Sequence, residues 1–158
     1  MSTTSGMGVF GPMVIQGPTT ANFDEELEPI MLNDWTHQTV DELWYSAQTG
    51  GPPQLDNALI NGKGTFDGAG ERYEMSFEAG QKYKLRFINS AIDSYFKLSL
   101  DGHNMTVVAM DFVPVEPFEV EVLDITMGMP VLSHFSLRQK LTSQRPALRR
   151  YHLSLPRT

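Results

Sequence analysis

A chain of 158 residues with 41 % hydrophobic content is long enough for one domain with a buried core and is not a disordered composition. The absence of cysteine excludes disulfides, thiolate nucleophiles and Cys-based metal sites. The net charge of −7 is uneven: residues 1–129 carry all 19 acidic residues against six basic ones, a balance of −13, while residues 130–158 carry six basic residues and no acidic one. An acidic body argues against nucleic acid as a partner.

The N-terminus, "MSTTSGMGVFGP", has neither a basic head nor an apolar core, so no signal peptide is visible, and no apolar run is long enough to span a bilayer. "GVFGPMVIQGP" alternates apolar and small residues, which predicts a short strand from Val9 to Gln16, stopped by Gly17-Pro18. The acid-rich stretch that follows, with Asp24, Glu25, Glu26 and Glu28, lacks the oxygen-ligand spacing of a calcium loop and reads as a solvated connector. "IMLNDW" predicts a buried strand, Ile30 to Asn33.

The period then changes. Val40, Leu43, Trp44 and Ala47 fall on one face of a helix near residues 39–48. Thr39 can cap it, Asp41 and Glu42 suit its first turn, and Gly50-Gly51-Pro52-Pro53 stops it. Trp44 on that apolar face reads as core, and His37 as a local hydrogen-bonding residue before the helix. Beyond it the chain is strands and turns. Ala58 to Ile60 enters a Gly-rich loop; Tyr73, Met75 and Phe77, then Tyr83, Leu85 and Phe87, alternate with polar residues. "YFKLSL" and "NMTVVAM" flank "DGH", a hairpin turn signal that makes His103 a turn residue rather than a ligand. In "FEVEVLDITMG", Phe118, Val120 and Val122 are expected inward, with Glu119 and Glu121 outward. Many short strands at regular spacing predict an all-β sandwich or barrel. The closing 29 residues have no clean period and are expected to be poorly ordered or loosely helical.

"GVFGPMVIQGP", "LNDWTHQTVDELWYSAQTGGPPQLDNALING", "YKLRFINSAIDSYFKLSLDGHNMTVVAMDFVPVEP" and "ITMG" resemble the fungal laccases, within the multicopper oxidases. The resemblance implies a cupredoxin-like Greek-key fold in this order: residues 1–18 as the end of a first cupredoxin domain, 19–29 as connector, 30–128 as a second, truncated domain, and 129–158 as a basic tail outside the family pattern. A truncated domain implies an incomplete sandwich with an unpaired edge, low stability and self-association through that edge.

The family oxidises phenolic donors and reduces dioxygen to water, and its second domain binds no copper but walls part of the substrate pocket. This chain agrees with that copper-free role: His37, His103, His134 and His152 lie far apart in sequence, so copper belongs to the full-length family and no cofactor is expected on this chain. By resemblance, Asp93 occupies the position of an acidic residue beside the phenol, able to accept its proton, while its local alternative is a loop-capping aspartate. Asn61 lies in a loop that in the family approaches the same pocket and is the weaker candidate, since an Asn-Gly turn accounts for it better. Asn104 opens an Asn-Met-Thr glycosylation sequon, which matters if the chain is exported as the family is. The expectation is therefore a fragment of a laccase-like oxidase, inactive alone, with a phenolic substrate in the full-length family and neither nucleic acid nor membrane as partner. A stand-alone non-catalytic binding module is the alternative, and an oxidase of ferrous iron or ascorbate a third reading on the same fold.

Overall fold

The structure is a computed structural model, and it describes residues 7–51, 55–78, 80–100, 103–127, 130–136 and 149–154. Its elements are β1 (Glu25–Glu26), β2 (Ile30–Trp35), α1 (Val40–Gly50), β3 (Asn57–Ile60), β4 (Thr65–Phe66), β5 (Ala69–Gly70), β6 (Glu74–Phe77), β7 (Lys82–Asn89), β8 (Phe96–Leu100), β9 (Met105–Met110), β10 (Val113–Val120), β11 (Val122–Ile125), β12 (Pro130–Ser136) and β13 (Arg149–Ser154). One sheet runs β10-β9-β12-β7-β2-β3, with β1 also alongside β7; a second runs β11-β8-β13-β6. The fold is thus mainly β with a single helix among the described residues, and its sheets do not close into a barrel. No helix among the described residues is long and apolar enough to cross a membrane.

The core fills the space between the two sheets. Ile30, Leu32, Leu85, Phe87, Met105 and Val107 meet Phe77, Leu98, Leu123 and Ile125 there. The alternation anticipated at Met75 and Phe77 and at Tyr83, Leu85 and Phe87 buries those side chains, and Tyr83 turns its hydroxyl to accept from the Glu78 N–H at 2.8 Å. The turn expected at His103 is present: its N–H donates to Leu100 O at 3.0 Å, joining β8 to β9.

Four expectations need correction. Residues 9–16 form no strand; they run as exposed coil, because no neighbouring strand takes up their backbone groups. Phe118 and Val122 are exposed, whereas Leu123 and Ile125 are buried. The chain leaves the first sheet at Val120 and joins the second at Val122, so one alternation is split between two sheets. Helix α1 forms as read, with a capping box in which Thr39 and Glu42 bond each other's backbone N–H. Yet Leu43 is its buried residue, and Trp44 is 64 % exposed rather than core. Finally, residues 130–136 and 149–154 are strands, and β12 lies between β7 and β9, paired to both. The rest of the basic tail lies outside the described residues.

The acidic connector is not simply solvated. Asp24 exchanges bonds with Lys82, its N–H to Lys82 O at 2.8 Å and its carboxylate accepting from Lys82 N at 2.8 Å. Glu26 lies against Lys84 and Arg86 on the outward face of β7: Lys84 Nζ at 3.1 Å, Arg86 Nε at 2.9 Å. Lys84 is only 2 % exposed and also sits 4.6 Å from the Phe23 ring. Partial burial opposes ionisation of Glu26, but the hydrogen bonds and charges of Lys84 and Arg86 outweigh it and hold the carboxyl below its usual range. A carboxyl depressed in the folded state contributes stability above its unfolded pKa, near about 4.3, and loses it as pH falls through the lower folded value. Glu26→Gln is therefore expected to cost about 2–4 kcal/mol in denaturant unfolding at neutral pH, since it strands a buried lysine. It should also flatten the acid loss of stability below about pH 4.5, and an acid limb identical to that of the unsubstituted chain would contradict the assignment.

Candidate functional site

The loop between β7 and β8, residues 90–95, carries Asp93, and three neighbours hold it from beneath. Asp34, near the end of β2, accepts three consecutive backbone N–H groups: Ile92 at 2.9 Å, Asp93 at 3.0 Å and Ser94 at 3.1 Å. Hydrogen bonds to an ionised acceptor are stronger than neutral ones, so a single carboxylate fixes the tip of the loop. Asn89, buried at the end of β7, accepts from Ala91 N at 2.9 Å and donates to Ser94 O at 3.0 Å and Ile125 O at 3.1 Å. Asn33 donates to Ser90 Oγ, whose hydroxyl donates on to Leu32 O. These bonds tie the loop to β2, β7 and β11.

The side chain of Asp93 stands on the exposed side of this loop. Its backbone, not its carboxylate, is what Asp34 engages, so the loop-capping role is taken by Asp34 and not by Asp93. Exposed Trp35 adjoins Asp34 in sequence, and exposed Tyr95 ends the loop. An exposed carboxylate on a rigid loop can accept a proton from a hydroxyl brought beside it.

Asn61 has left-handed backbone geometry, φ 48°. Its Oδ1 accepts from Met31 N at 2.7 Å and its Nδ2 donates to Pro29 O at 3.3 Å, pinning the β3 turn to the start of β2. It is therefore a turn residue, and no described contact brings it to Asp93. His37 does not cap α1; its ring Nδ1 lies 2.8 Å from Asp56, which also accepts the His37 N–H at 2.9 Å, and its ring packs on Phe66. Hydrogen bonds from His37, backbone first, lower the Asp56 carboxyl below its usual range. Asn104 is exposed immediately before β9. Among the described residues no three His, Cys, Asp or Glu side chains converge as a metal site, and the His37 ring is engaged by Asp56.

Sequence reasoning missed Asp34. Its partners lie 58 to 60 residues away, beyond any local periodicity. The one signal was a charged residue directly after the buried run Ile30–Asn33.

A family model described as multicopper oxidase matches residues 26–131. Laccase-1 of Botryotinia fuckeliana is 50 % identical over 123 residues, covering 78 % of this chain and 22 % of that protein. The laccase of Neurospora crassa is 41 % identical over 129 residues, covering 80 % and 21 %. Among solved structures, the laccase from Botrytis aclada superposes with a TM-score of 0.83 at 40 % identity, over 87 % of this chain and 28 % of that one. The chain thus spans about a fifth of the length of these curated relatives.

The Asp34 clamp has a direct consequence. Asp34→Ala is expected to raise amide hydrogen exchange at Ile92, Asp93 and Ser94 by about 10- to 100-fold while β9 exchanges as before. Unchanged exchange at those three amides would show that the loop holds itself.

Proposed function

The chain belongs to the multicopper oxidase family, and from that premise we propose that it supplies the copper-free second cupredoxin-like domain and part of the phenol pocket of a laccase-like oxidase. In this reading residues 1–18 end a first domain, 19–29 connect, 30–128 form the second domain, and 129–158 lie beyond the family pattern; the family model ends close by, at residue 131. The single observation that carries the reading is the clamped loop, with Asp93 exposed on it and Asp34 fixing its backbone.

The chemistry assigned to Asp93 is proton transfer. A phenol that loses an electron becomes strongly acidic at its hydroxyl. The O–H bond breaks, the proton passes to the Asp93 carboxylate, and an aryloxyl radical leaves. The electron goes to an acceptor outside this segment, since the chain has no cysteine and no three metal-binding side chains converge among the described residues. Alone, the chain is inactive as an oxidase. Asn61 supports the pocket only through the turn it pins, and Asn104 is the glycosylation acceptor if the protein is extracellular, as the family resemblance implies. Edge strands β3 and β10 offer the route for self-association.

The test uses a hybrid in which residues 26–131 replace the matching segment of the Botrytis aclada laccase. Asp93→Asn in that hybrid is expected to lower kcat/KM for a phenol by about 10- to 100-fold and to alter its pH profile. Oxidation of hexacyanoferrate(II), which releases no proton, should be unchanged. Equal losses with both donors, or none with the phenol, would overturn the role of Asp93.

A further inference from the structure

On the outward face of the first sheet, away from Asp93, residues 13–18 lie over β7 and β9 and leave a cavity of about 210 Å³. Thr20 helps hold this stretch down, its hydroxyl donating to Val108 O at 3.1 Å. The walls are apolar, from Met13, Ile15, Pro18, Ile88, Phe112 and Pro114; the charged lining comes from Lys84 and Arg86.

The two cations are undercompensated. Among the described residues their one carboxylate partner is Glu26, and Arg86 reaches only Gln16 Oε1 besides, at 3.5 Å. Lysine and arginine together carry more N–H groups than Glu26 has oxygens, so donors remain, and the cluster keeps one unit of positive charge while Glu26 is ionised. A buried cation with spare donors beside an apolar void favours an anion.

Phe112 is the second, independent observation. It occupies the two-residue turn between β9 and β10 with Asp111, and both have positive φ, 47° and 66°. Glycine or asparagine suits such a turn, and a bulky side chain there is strained. Phe112 is nonetheless 62 % exposed, so burial does not offset the strain. Its position at the cavity does give it a use.

We propose that this cavity binds a small organic monoanion, with its carboxylate on Lys84 and Arg86 and its ring between Met13, Ile15, Pro18 and Phe112. The cavity lies below the range of about 300–1,000 Å³ typical of drug-sized ligands, which limits the occupant to roughly one ring and one acidic group. The site does not depend on the oxidase reading: none of its lining residues belongs to the Asp93 loop.

The test is calorimetric titration of the full chain with sodium benzoate, against the neutral isostere benzamide. Saturable binding of benzoate at one site, at least about tenfold tighter than benzamide, is expected. Phe112→Gly should weaken benzoate severalfold while leaving the melting temperature unchanged or higher, because it removes the wall and relieves the turn. Lys84→Met should abolish the preference for the anion; because that variant also removes the buried partner of Glu26, Ile15→Ser, at an exposed wall position, provides a second one expected to weaken benzoate. No saturation, equal affinity for benzoate and benzamide, or full affinity in Phe112→Gly and Ile15→Ser would each overturn the site.

Discussion

A lysine cannot be buried as a cation without a counter-charge, and Lys84 is buried in the middle of β7. Glu26 supplies that charge from 58 residues earlier in the chain. The connector therefore runs beside β7, where β1 pairs with it in parallel through Glu25 and Glu26. Four residues later β2 takes up the same parallel partnership, with Ile30 opposite Phe87 and Leu32 opposite Asn89. That register, set by the ion cluster and by burial of Ile30 and Leu32, brings Asp34 under the loop that leaves β7.

The two aspartates then divide their roles by geometry. Asp34 turns inward and spends both oxygens on backbone N–H groups, while Asp93 keeps its carboxylate on the exposed side. Moving Asp34 by one position in β2, a strand of period two, would turn its carboxylate to the other face. What the segment contributes to an oxidase in this account is a placed proton acceptor rather than a path for electrons. The same scaffold gives each of its buried polar positions, Asn33, Asn89 and Lys84, a hydrogen-bonding partner.

Much of the fold was legible because alternation reports a face wherever one sheet covers it. Met75, Phe77, Leu85, Phe87 and Leu98 announce themselves in this way, and the capping box at Thr39 and Glu42 marks the helix start. The pattern misled where that premise failed. Phe118 to Ile125 looks like one strand but serves two sheets, so its phase changes at Glu121. Trp44 follows the helical period, but α1 has only Leu43 fully against the body of the domain. Lys84 looked outward, as its position in the alternation requires, and only the fold shows that the outward face is covered. Of the site, the resemblance pointed to Asp93, while the clamp beneath it depends on contacts between residues far apart in sequence, which no short window contains.

The central claim is that this segment positions a carboxylate and leaves electron transfer to copper held elsewhere. Copper stoichiometry of the purified chain after loading with copper(II) and dialysis, followed by oxygen uptake with a phenol, tests it most directly. The account expects substoichiometric copper, no blue colour and no oxygen consumption. Tight retention of several copper ions with phenol-dependent oxygen uptake would contradict it.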